Sequence, residues 1–248
     1  MAKLPWVDMV SMEPCGVALD CRGGLAEYLG SALGDSDLGS EVAAAALAAA
    51  RTLQAPYGPR VVGGIRIALE LRGLTYSEEL GSGILDSIGR WKFFQDAAGG
   101  IERLRSVGYR VALISDMEEN VLRGLLGNSG IEVDYVYGAR VNSAYRPNPR
   151  AIFNAYRDSG TPIWRGLHAG PDVDDDVRPA MVLGLRTAWV NRYGEEEPEE
   201  GIASEYVVES LGELAEQLAE GDEGRSLDGW LEGEGGAEGA RDRDPAMQ

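Results

Sequence analysis

Short apolar segments alternate with helical segments of about ten residues from residue 96 onward, and this alternation restricts the possible folds more than any other property of the chain. The predicted strands are residues 109–114, 133–137, 163–169, 186–190 and 206–208. Strands that alternate with helices pair in parallel and bury both faces of the sheet under helices. The sequence therefore predicts an α/β fold with a doubly wound, Rossmann-like parallel sheet.

Residues 25–92 interrupt this alternation with helical patterns alone. An alanine-rich run over residues 42–53 strongly favours helix, and Pro56 and Pro59 end it. Two further helical patterns follow, and no strand is predicted in the segment. We therefore expect an all-helical cap, residues 25–92, inserted into an α/β core made of residues 1–24 and 93–220.

The negative charge of the chain is concentrated towards its carboxyl terminus. The net charge is −18, but residues 1–193 carry 23 acidic and 20 basic groups, whereas residues 194–248 carry 18 and 3. A nearly neutral body has no excess of basic groups to neutralise phosphates, which argues against nucleic-acid binding. Residues 221–248 are rich in glycine and charge, and we expect them to form an acidic disordered tail.

The sequence shows neither an amino-terminal targeting signal nor a membrane span. The amino terminus lacks an apolar h-region, and no run reaches the roughly 18 apolar residues of a membrane span. We therefore expect a cytoplasmic protein that does not contact a membrane. Cys15 and Cys21 lack the C-x-x-C spacing, and we expect free, inert thiols. His168, the single histidine, is expected to pack in the core.

Polar residues stand where several predicted strands end. The run Gly16-Val17-Ala18-Leu19 predicts a buried strand that ends at Asp20, and the strand over residues 109–114 is followed by Ser115. The segment 146–149, Arg-Pro-Asn-Pro, and the acidic loop 170–176 come later in the chain. Because the carboxyl ends of parallel strands meet at one crevice, we expect a single small-molecule site at this edge of the sheet.

Over about residues 13–220, the order of these segments resembles the haloacid dehalogenase (HAD)-like hydrolase superfamily. The helical insertion lies where that family has its cap, and residues 184–192 are similar to the stretch after the family's fourth motif. The resemblance implies hydrolysis through a covalent intermediate on an aspartate. It assigns Asp20 as the nucleophile, with Ser115 and Arg146 holding the transferred group.

The resemblance also implies a metal ion and a substrate-binding set. Clustered carboxylate oxygens suit Mg²⁺, and the family's pattern places Asp20, Asp172 and Asp176 around it. Arg22 and Asp116 are the predicted substrate-binding residues.

Three positions depart from the phosphatase motifs of the family. Arg22 stands where a second aspartate transfers protons, and a guanidinium stays protonated near neutral pH. Gly24 replaces a hydroxyl residue, and Pro171 replaces a metal-binding aspartate. The loss of a proton-transfer residue alone slows a reaction by roughly 10²–10⁴-fold.

The sequence leaves the function open between two classes. The first is a phosphatase that forms an aspartyl-phosphate on Asp20 and acts on a small phosphorylated metabolite. The alternative is a binding or regulatory protein that has kept the scaffold and lost turnover. The dehalogenase branch of the family, which uses neither the second aspartate nor a metal, is a further alternative. Its cap arginine falls near Glu41, where this chain has no arginine.

Overall fold

A six-stranded sheet forms the centre of the computed structural model, which describes residues 3–139, 144–198 and 204–221. The strands are β1 (Met9–Met12), β2 (Arg110–Ile114), β3 (Tyr135–Tyr137), β4 (Gly166–Gly170), β5 (Arg186–Val190) and β6 (Tyr206–Val208). They lie in the order β3-β2-β1-β4-β5-β6, and each neighbouring pair is parallel. This order confirms the predicted doubly wound fold and places β1 where the strand order reverses.

Helices connect the strands and cover the sheet. They are α1 (Pro14–Val17), α2 (Cys21–Leu33), α3 (Ser36–Ala50), α4 (Tyr57–Glu70), α5 (Glu78–Ile88), α6 (Ala97–Ser106), α7 (Glu119–Ser129), α8 (Arg150–Ser159), α9 (Arg178–Val182) and α10 (Leu211–Glu220). A 3₁₀ turn, Ile163–Arg165, precedes β4, and a π-helical turn, Val173–Val177, follows it.

Helices α1 to α6 lie between β1 and β2 in the chain, and α2 to α5 form its all-helical part. Residues 21–92, all of which the structure describes, contain these four helices and no strand. Asp35 caps α3 by accepting hydrogen bonds from the amides of Asp37 and Leu38, and Ser77 caps α5 through the amide of Leu80. Such caps satisfy amides that have no partner within the helix. The division of the chain into cap and core at residues 25 and 92 stays a prediction.

The first strand lies seven residues before its predicted position. Residues 16–19 do not form a strand, because Gly16 has a φ of 89° and Cys15 and Leu19 form only isolated bridges. A Cβ on Gly16 would lie 2.8 Å from Cβ of Pro171, so the site requires glycine for both conformation and space. The strand is instead Met9–Met12, which contains the buried polar residue Ser11.

The core confirms one further prediction from the sequence. His168 lies on β4, is buried, and has its Nδ1 atom 2.9 Å from the Ser11 hydroxyl. Within the described ranges, no helix combines the length and apolar character needed to cross a membrane. Apart from Gly221, the tail expected to be disordered lies outside the described residues.

Candidate active site

Charged residues meet at the carboxyl ends of the central strands. Glu13 directly follows β1, and Ser115 and Asp116 directly follow β2. The loop after β4 contributes Asp176, and Arg146 reaches the same place from the segment before α8. The sheet order explains this meeting, because β2 and β4 are the two neighbours of β1.

The carboxylate at the tip of β1 belongs to Glu13, whose side chain is fully buried. Its Oε1 atom accepts hydrogen bonds from the Cys15 amide at 3.0 Å and from the Ser115 hydroxyl at 3.1 Å. Its Oε2 atom lies 3.2 Å from Nε of Arg146, an ion pair without hydrogen-bond alignment. Glu13 therefore occupies the strand-tip position that the sequence analysis assigned to Asp20.

Arg146 is the cation at the centre of the site. Besides Glu13, its Nε atom lies 3.3 Å from Oδ2 of Asp116, and its NH1 atom lies 3.0 Å from Oδ1 of Asp176. Its backbone amide also donates to Asp116 at 3.2 Å. One guanidinium thus faces three carboxylates, with the planar fork that suits such contacts. We call Glu13, Asp116, Arg146 and Asp176 the charge cluster.

Two carboxyl groups of the charge cluster hold their protons more tightly than usual. Burial raises the pKa of Glu13, and the nearby charges of Asp176 and Asp116 raise it further, while Arg146 opposes them. Burial likewise raises the pKa of Asp176, with an added contribution from Asp172, while Arg146 again opposes the rise. A perturbed pKa beside a cleft is typical of a site of chemistry.

A cavity of about 300 Å³ lies beside the charge cluster, between the helices of residues 21–92 and the sheet edge. Helices α3 and α4 line it with the apolar side chains of Ala44, Leu47, Ala48 and Val61 and with the ring of Tyr57. Arg146 lines it from the side of the charge cluster. A half-apolar cavity of this size suits a small organic molecule.

Asp20, the predicted nucleophile, is not part of the charge cluster. It stands at the start of α2, where its Oδ1 atom accepts a hydrogen bond from the Gly23 amide at 2.8 Å. In the part of the chain that the structure describes, Asp20 makes no hydrogen bond or ion pair with Ser115, Arg146, Asp172 or Asp176, and it does not line the cavity. The prediction that Asp20 is the strand-tip carboxylate is therefore wrong, because β1 ends at Met12.

The two predicted substrate-binding residues lie in different surroundings. Arg22 lines the cavity, with Cζ 4.9 Å from the centroid of the Tyr193 ring. Asp116 is buried and does not line the cavity. Its Oδ2 atom pairs with Arg60 of α4 as well as with Arg146. Asp116 therefore ties α4 to the sheet edge and is already fully engaged by arginines.

A second arginine joins the helical segment to the acidic loop. Arg51, which follows α3, has NH1 2.6 Å from Asp172 and Nε 3.4 Å from Asp175. Oδ1 of Asp172 also accepts hydrogen bonds from the amides of Asp174 and Asp175, both at 2.9 Å. The carboxylate of Asp172 is thus occupied as a helix cap and an ion-pair partner.

Cys15 and Cys21 form a disulfide in the structure, with Cα atoms 5.3 Å apart. The expectation of two free thiols is therefore wrong. The sequence analysis placed the two cysteines at opposite ends of a strand, but the turn at Gly16 instead brings Cys15 close to the start of α2. Both cysteines line the cavity, and the Cys15 amide is one of the two groups that hold Glu13.

Comparison with known proteins finds similar sequences and similar folds. Over 132 residues the chain is 27% identical to haloacetate dehalogenase H-2 from Moraxella sp. (strain B), a match that covers 52% of this chain and 58% of that enzyme. The chain thus spans little more than half the length of this relative. No family model matches the sequence.

Solved structures give the same fold over most of the chain. The L-2-haloacid dehalogenase from Xanthobacter autotrophicus with chloropropionic acid covalently bound superposes with a TM-score of 0.72 at 17% identity, covering 86% of this chain and 98% of that one. A HAD phosphatase from Thermococcus onnurineus has a TM-score of 0.57 at 19% identity and covers the same shares. The sequence and the fold are thus both similar to those of haloacid dehalogenase-like proteins.

The Mg²⁺ ion that the family resemblance implies does not fit the residues of this chain. The guanidinium of Arg146 already lies between Asp116, Asp176 and Glu13, where it supplies the positive charge. Asp172 pairs with Arg51, and Asp20 caps α2 away from both. Among the described residues, no group of three or more His, Cys, Asp or Glu side chains could hold a metal. The predicted set of Asp20, Asp172 and Asp176 is therefore not formed.

The structure brings Ser115, Arg146 and Asp176 together, as the sequence analysis predicted, and it adds residues that the sequence analysis missed. Glu13 is the first, and the short run Met9–Met12 before Glu13-Pro14 was its one signal. Tyr57 and Arg60 lie on α4, and no local pattern marks them as facing the core.

Arg192 is also missing from the predicted set. It hydrogen-bonds the carbonyls of Gly16 and Val17 and pairs with Asp96, so it fixes the loop after β1.

Proposed function

We propose that this protein is a metal-independent hydrolase of small organic acids and that Glu13, not Asp20, is its nucleophile. The observation that carries the proposal is the buried Glu13 carboxylate at the tip of β1, held by Cys15 and Ser115 and facing Arg146. Glutamate and aspartate carboxylates both serve as covalent nucleophiles in enzymes. The names of the relatives, a haloacetate dehalogenase and an L-2-haloacid dehalogenase with a covalently bound acid, support substitution at carbon.

The first step forms an ester on Glu13. A carboxylate oxygen attacks the carbon that bears the leaving group, the new C–O bond forms, and the leaving group departs with the bonding electron pair. The raised pKa of Glu13 makes this step faster as the pH rises, because only the ionised carboxylate attacks. Arg146 and the Ser115 hydroxyl hold the carboxylate in a fixed position, which lowers the entropic cost of attack.

The second step releases a hydroxy acid. Water attacks the carbonyl carbon of the Glu13 ester, the ester C–O bond on the carboxyl side breaks, and the Glu13 carboxylate is restored. Asp176, whose pKa is raised by burial, accepts one proton of the attacking water and passes it to the departing oxygen of the hydroxy acid. The second proton of the water leaves as the restored Glu13 ionises. Arg146, 3.0 Å from Asp176, then lies between the nucleophile and the base.

The phosphatase that the sequence favours has less support from the geometry. Phosphoryl transfer in this superfamily would call on Mg²⁺, and the carboxylates that would bind it are paired with Arg146 and Arg51. Arg22, which has no acidic partner among the described residues, is the feature that would still suit a phosphate ester.

Binding without turnover is the second candidate function. Glu13 has no exposed surface and does not line the cavity, and its raised pKa favours the neutral acid, which is a poor nucleophile. Under this alternative the cavity would bind a small anion and release it unchanged.

The decisive experiment compares Glu13→Gln with Asp20→Asn. The full chain is incubated with haloacetates, 2-halopropanoates and phosphate esters, with and without a chelator, and halide and phosphate release are measured. We expect halide release that a chelator does not change, that Glu13→Gln reduces by at least roughly 10³-fold, and that Asp20→Asn leaves intact, since asparagine also caps a helix. Mass spectrometry should detect the substrate ester on Glu13.

Each contrary result has a distinct meaning. Activity lost in Asp20→Asn but kept in Glu13→Gln would refute Glu13 as the nucleophile. Phosphate release that requires Mg²⁺ would support the phosphatase. A thermal shift without any product would support binding alone.

A further inference from the structure

Tyr57 carries a buried hydroxyl that no described residue satisfies. The residue is 5% exposed and lines the cavity, and its hydroxyl oxygen has no hydrogen-bond partner among the described residues. A buried polar group without a partner is rare and destabilises a fold unless something else satisfies it. A ligand in the cavity is the natural partner.

The position of this hydroxyl is fixed by contacts on several sides. Tyr57 is the first residue of α4, and its amide donates to the Asp116 carbonyl at 2.9 Å. Its ring packs edge-on against Trp91, with ring centroids 6.1 Å apart. Burial raises the pKa of the hydroxyl, and the charge of nearby Glu13 raises it further. The group therefore stays protonated and can donate a hydrogen bond. The hydroxyl is therefore preorganised next to the proposed nucleophile.

Among the described residues that line the cavity, Arg22 is the arginine without an acidic partner. The other arginines that line it are paired with acids: Arg51 with Asp172, Arg60 with Asp116, and Arg146 with the charge cluster. Arg22 has no acidic partner within the described ranges and stacks on Tyr193. A guanidinium stacked on an aromatic ring and exposed to a cavity can pair with a carboxylate of a ligand.

We propose that Arg22 and Tyr57 select the ligand: Arg22 pairs with the carboxylate of a short-chain acid, and the Tyr57 hydroxyl donates to a halogen or hydroxyl on the carbon beside it. The apolar side chains of Ala44, Leu47 and Val61 leave room for a short hydrocarbon chain. This inference rests on the proposed function for its substrate class. It assigns the two residues a role in specificity rather than in bond making.

The test measures equilibrium binding and therefore does not depend on turnover. Dissociation constants of 2-hydroxypropanoate, propanoate and 2-hydroxypropanamide are measured by calorimetry for the wild-type chain, Tyr57→Phe and Arg22→Met. We expect the wild type to prefer 2-hydroxypropanoate over propanoate by about tenfold, the worth of one good hydrogen bond. Tyr57→Phe should abolish this preference and keep the affinity for propanoate. Arg22→Met should weaken both acids and leave the uncharged amide unchanged.

Stability measurements separate a ligand role from a structural one. Without ligand, Tyr57→Phe should melt at the same temperature as the wild type or higher, because it removes a hydroxyl that has no partner in the fold. Tyr76→Phe, in the same helical segment but outside the cavity, is the matched control and should change neither binding nor preference.

The outcomes distinguish this inference from the proposed function. Binding with the expected preference but without turnover would refute the hydrolase and keep the assignment of Tyr57 and Arg22. Turnover with an unchanged preference in Tyr57→Phe would refute the assignment and keep the hydrolase. Failure of the wild type to bind either acid, or a lower melting temperature of ligand-free Tyr57→Phe, would also overturn the assignment.

Discussion

Two buried polar clusters, one around Ser11 of β1 and one around Glu13 just after it, differ in charge and in their contact with the cavity. Ser11, Tyr156 and His168 form the core cluster, in which the Ser11 hydroxyl lies 3.0 Å from the Tyr156 hydroxyl and 2.9 Å from the histidine. The charge cluster around Glu13 lies at the end of the same strand. Both are buried, so burial of polar groups alone does not indicate a functional site.

The difference lies in charge balance. The core cluster is neutral, because burial, and secondly the charge of Arg146, lowers the pKa of His168 to about 3. Its hydroxyls also reach the Leu167 carbonyl, so its hydrogen-bonding groups are satisfied. The charge cluster has more carboxylates than arginines, holds two raised pKa values and borders a cavity. An excess of buried charge of one sign beside a cavity is typical of a functional site. A neutral cluster whose hydrogen-bonding groups are all satisfied is typical of a structural role.

The largest effect is expected from Arg146→Met. The substitution leaves three buried carboxylates without their shared cation, and breaking a buried ion pair in this way destabilises a protein by about 3–5 kcal/mol. Urea denaturation at neutral pH measures the change. Arg150→Met, at an exposed position four residues away, is the control and should change stability little. A loss for Arg146→Met no larger than the control's would show that the carboxylates do not need the guanidinium.

The core cluster should lose stability in acid. The pKa of His168 is about 3 in the fold and 6.5 as a free side chain, so between these values the unfolded chain binds a proton that the native chain does not. Stability is therefore fully present above pH 6.5 and falls as the pH drops, by about 2 kcal/mol between pH 8 and pH 5. Denaturation curves measured over this pH range give the free energy of unfolding at each pH. Between pH 8 and pH 5 this free energy should fall by that amount more in the wild type than in His168→Gln. Parallel pH profiles would contradict a neutral buried histidine.

The charge cluster should respond to pH in the opposite direction. Because the pKa of Glu13 is raised in the fold, the native chain binds the extra proton, and its contribution to stability is present below the ordinary glutamate pKa and lost as the pH rises. Relative to Glu13→Gln, the wild type should lose at least about 1 kcal/mol between pH 5 and pH 8. Glu70→Gln, at an exposed position, is the control and should follow the wild type. If the wild type instead became more stable relative to Glu13→Gln as the pH rises from 5 to 8, the pKa of Glu13 would be lowered in the fold rather than raised.

The smallest effect is expected from Ser11→Ala. It removes one hydroxyl from a satisfied network and should cost about 1 kcal/mol in the free energy of unfolding. Calorimetric affinity for 2-hydroxypropanoate should be the same as in the wild type. A clear loss of affinity would mean that the two clusters are energetically coupled and that the core cluster also contributes to ligand binding.

Much of the fold was predictable because its signals are local. A few neighbouring residues suffice to predict the strands and helices after residue 96, including the strand Arg186–Val190. The same holds for the alanine-rich helix α3. Ser115 was predictable for the same reason, since it follows a strand that the pattern identifies, whereas Asp176 was assigned through the family resemblance.

Glu13 was not predictable because β1 depends on distant partners. Gly16-Val17-Ala18-Leu19 has the apolar continuity of a buried strand, while Met9–Met12 contains a serine. Ser11 is tolerated inside the sheet only because His168 and Tyr156, about 150 residues later in the chain, satisfy its hydroxyl. The error in the strand moved the expected nucleophile by seven residues, to Asp20.

The bond between Cys15 and Cys21 closes residues 15–21 into a covalent ring. The ring starts at Cys15, whose amide donates to Glu13, and ends at Cys21, the first residue of α2. The disulfide therefore joins two segments that line the cavity. A sulfur–sulfur bond persists only where the surroundings do not reduce it. The shape presented to a ligand therefore depends on a reductant outside the protein as well as on the polypeptide itself.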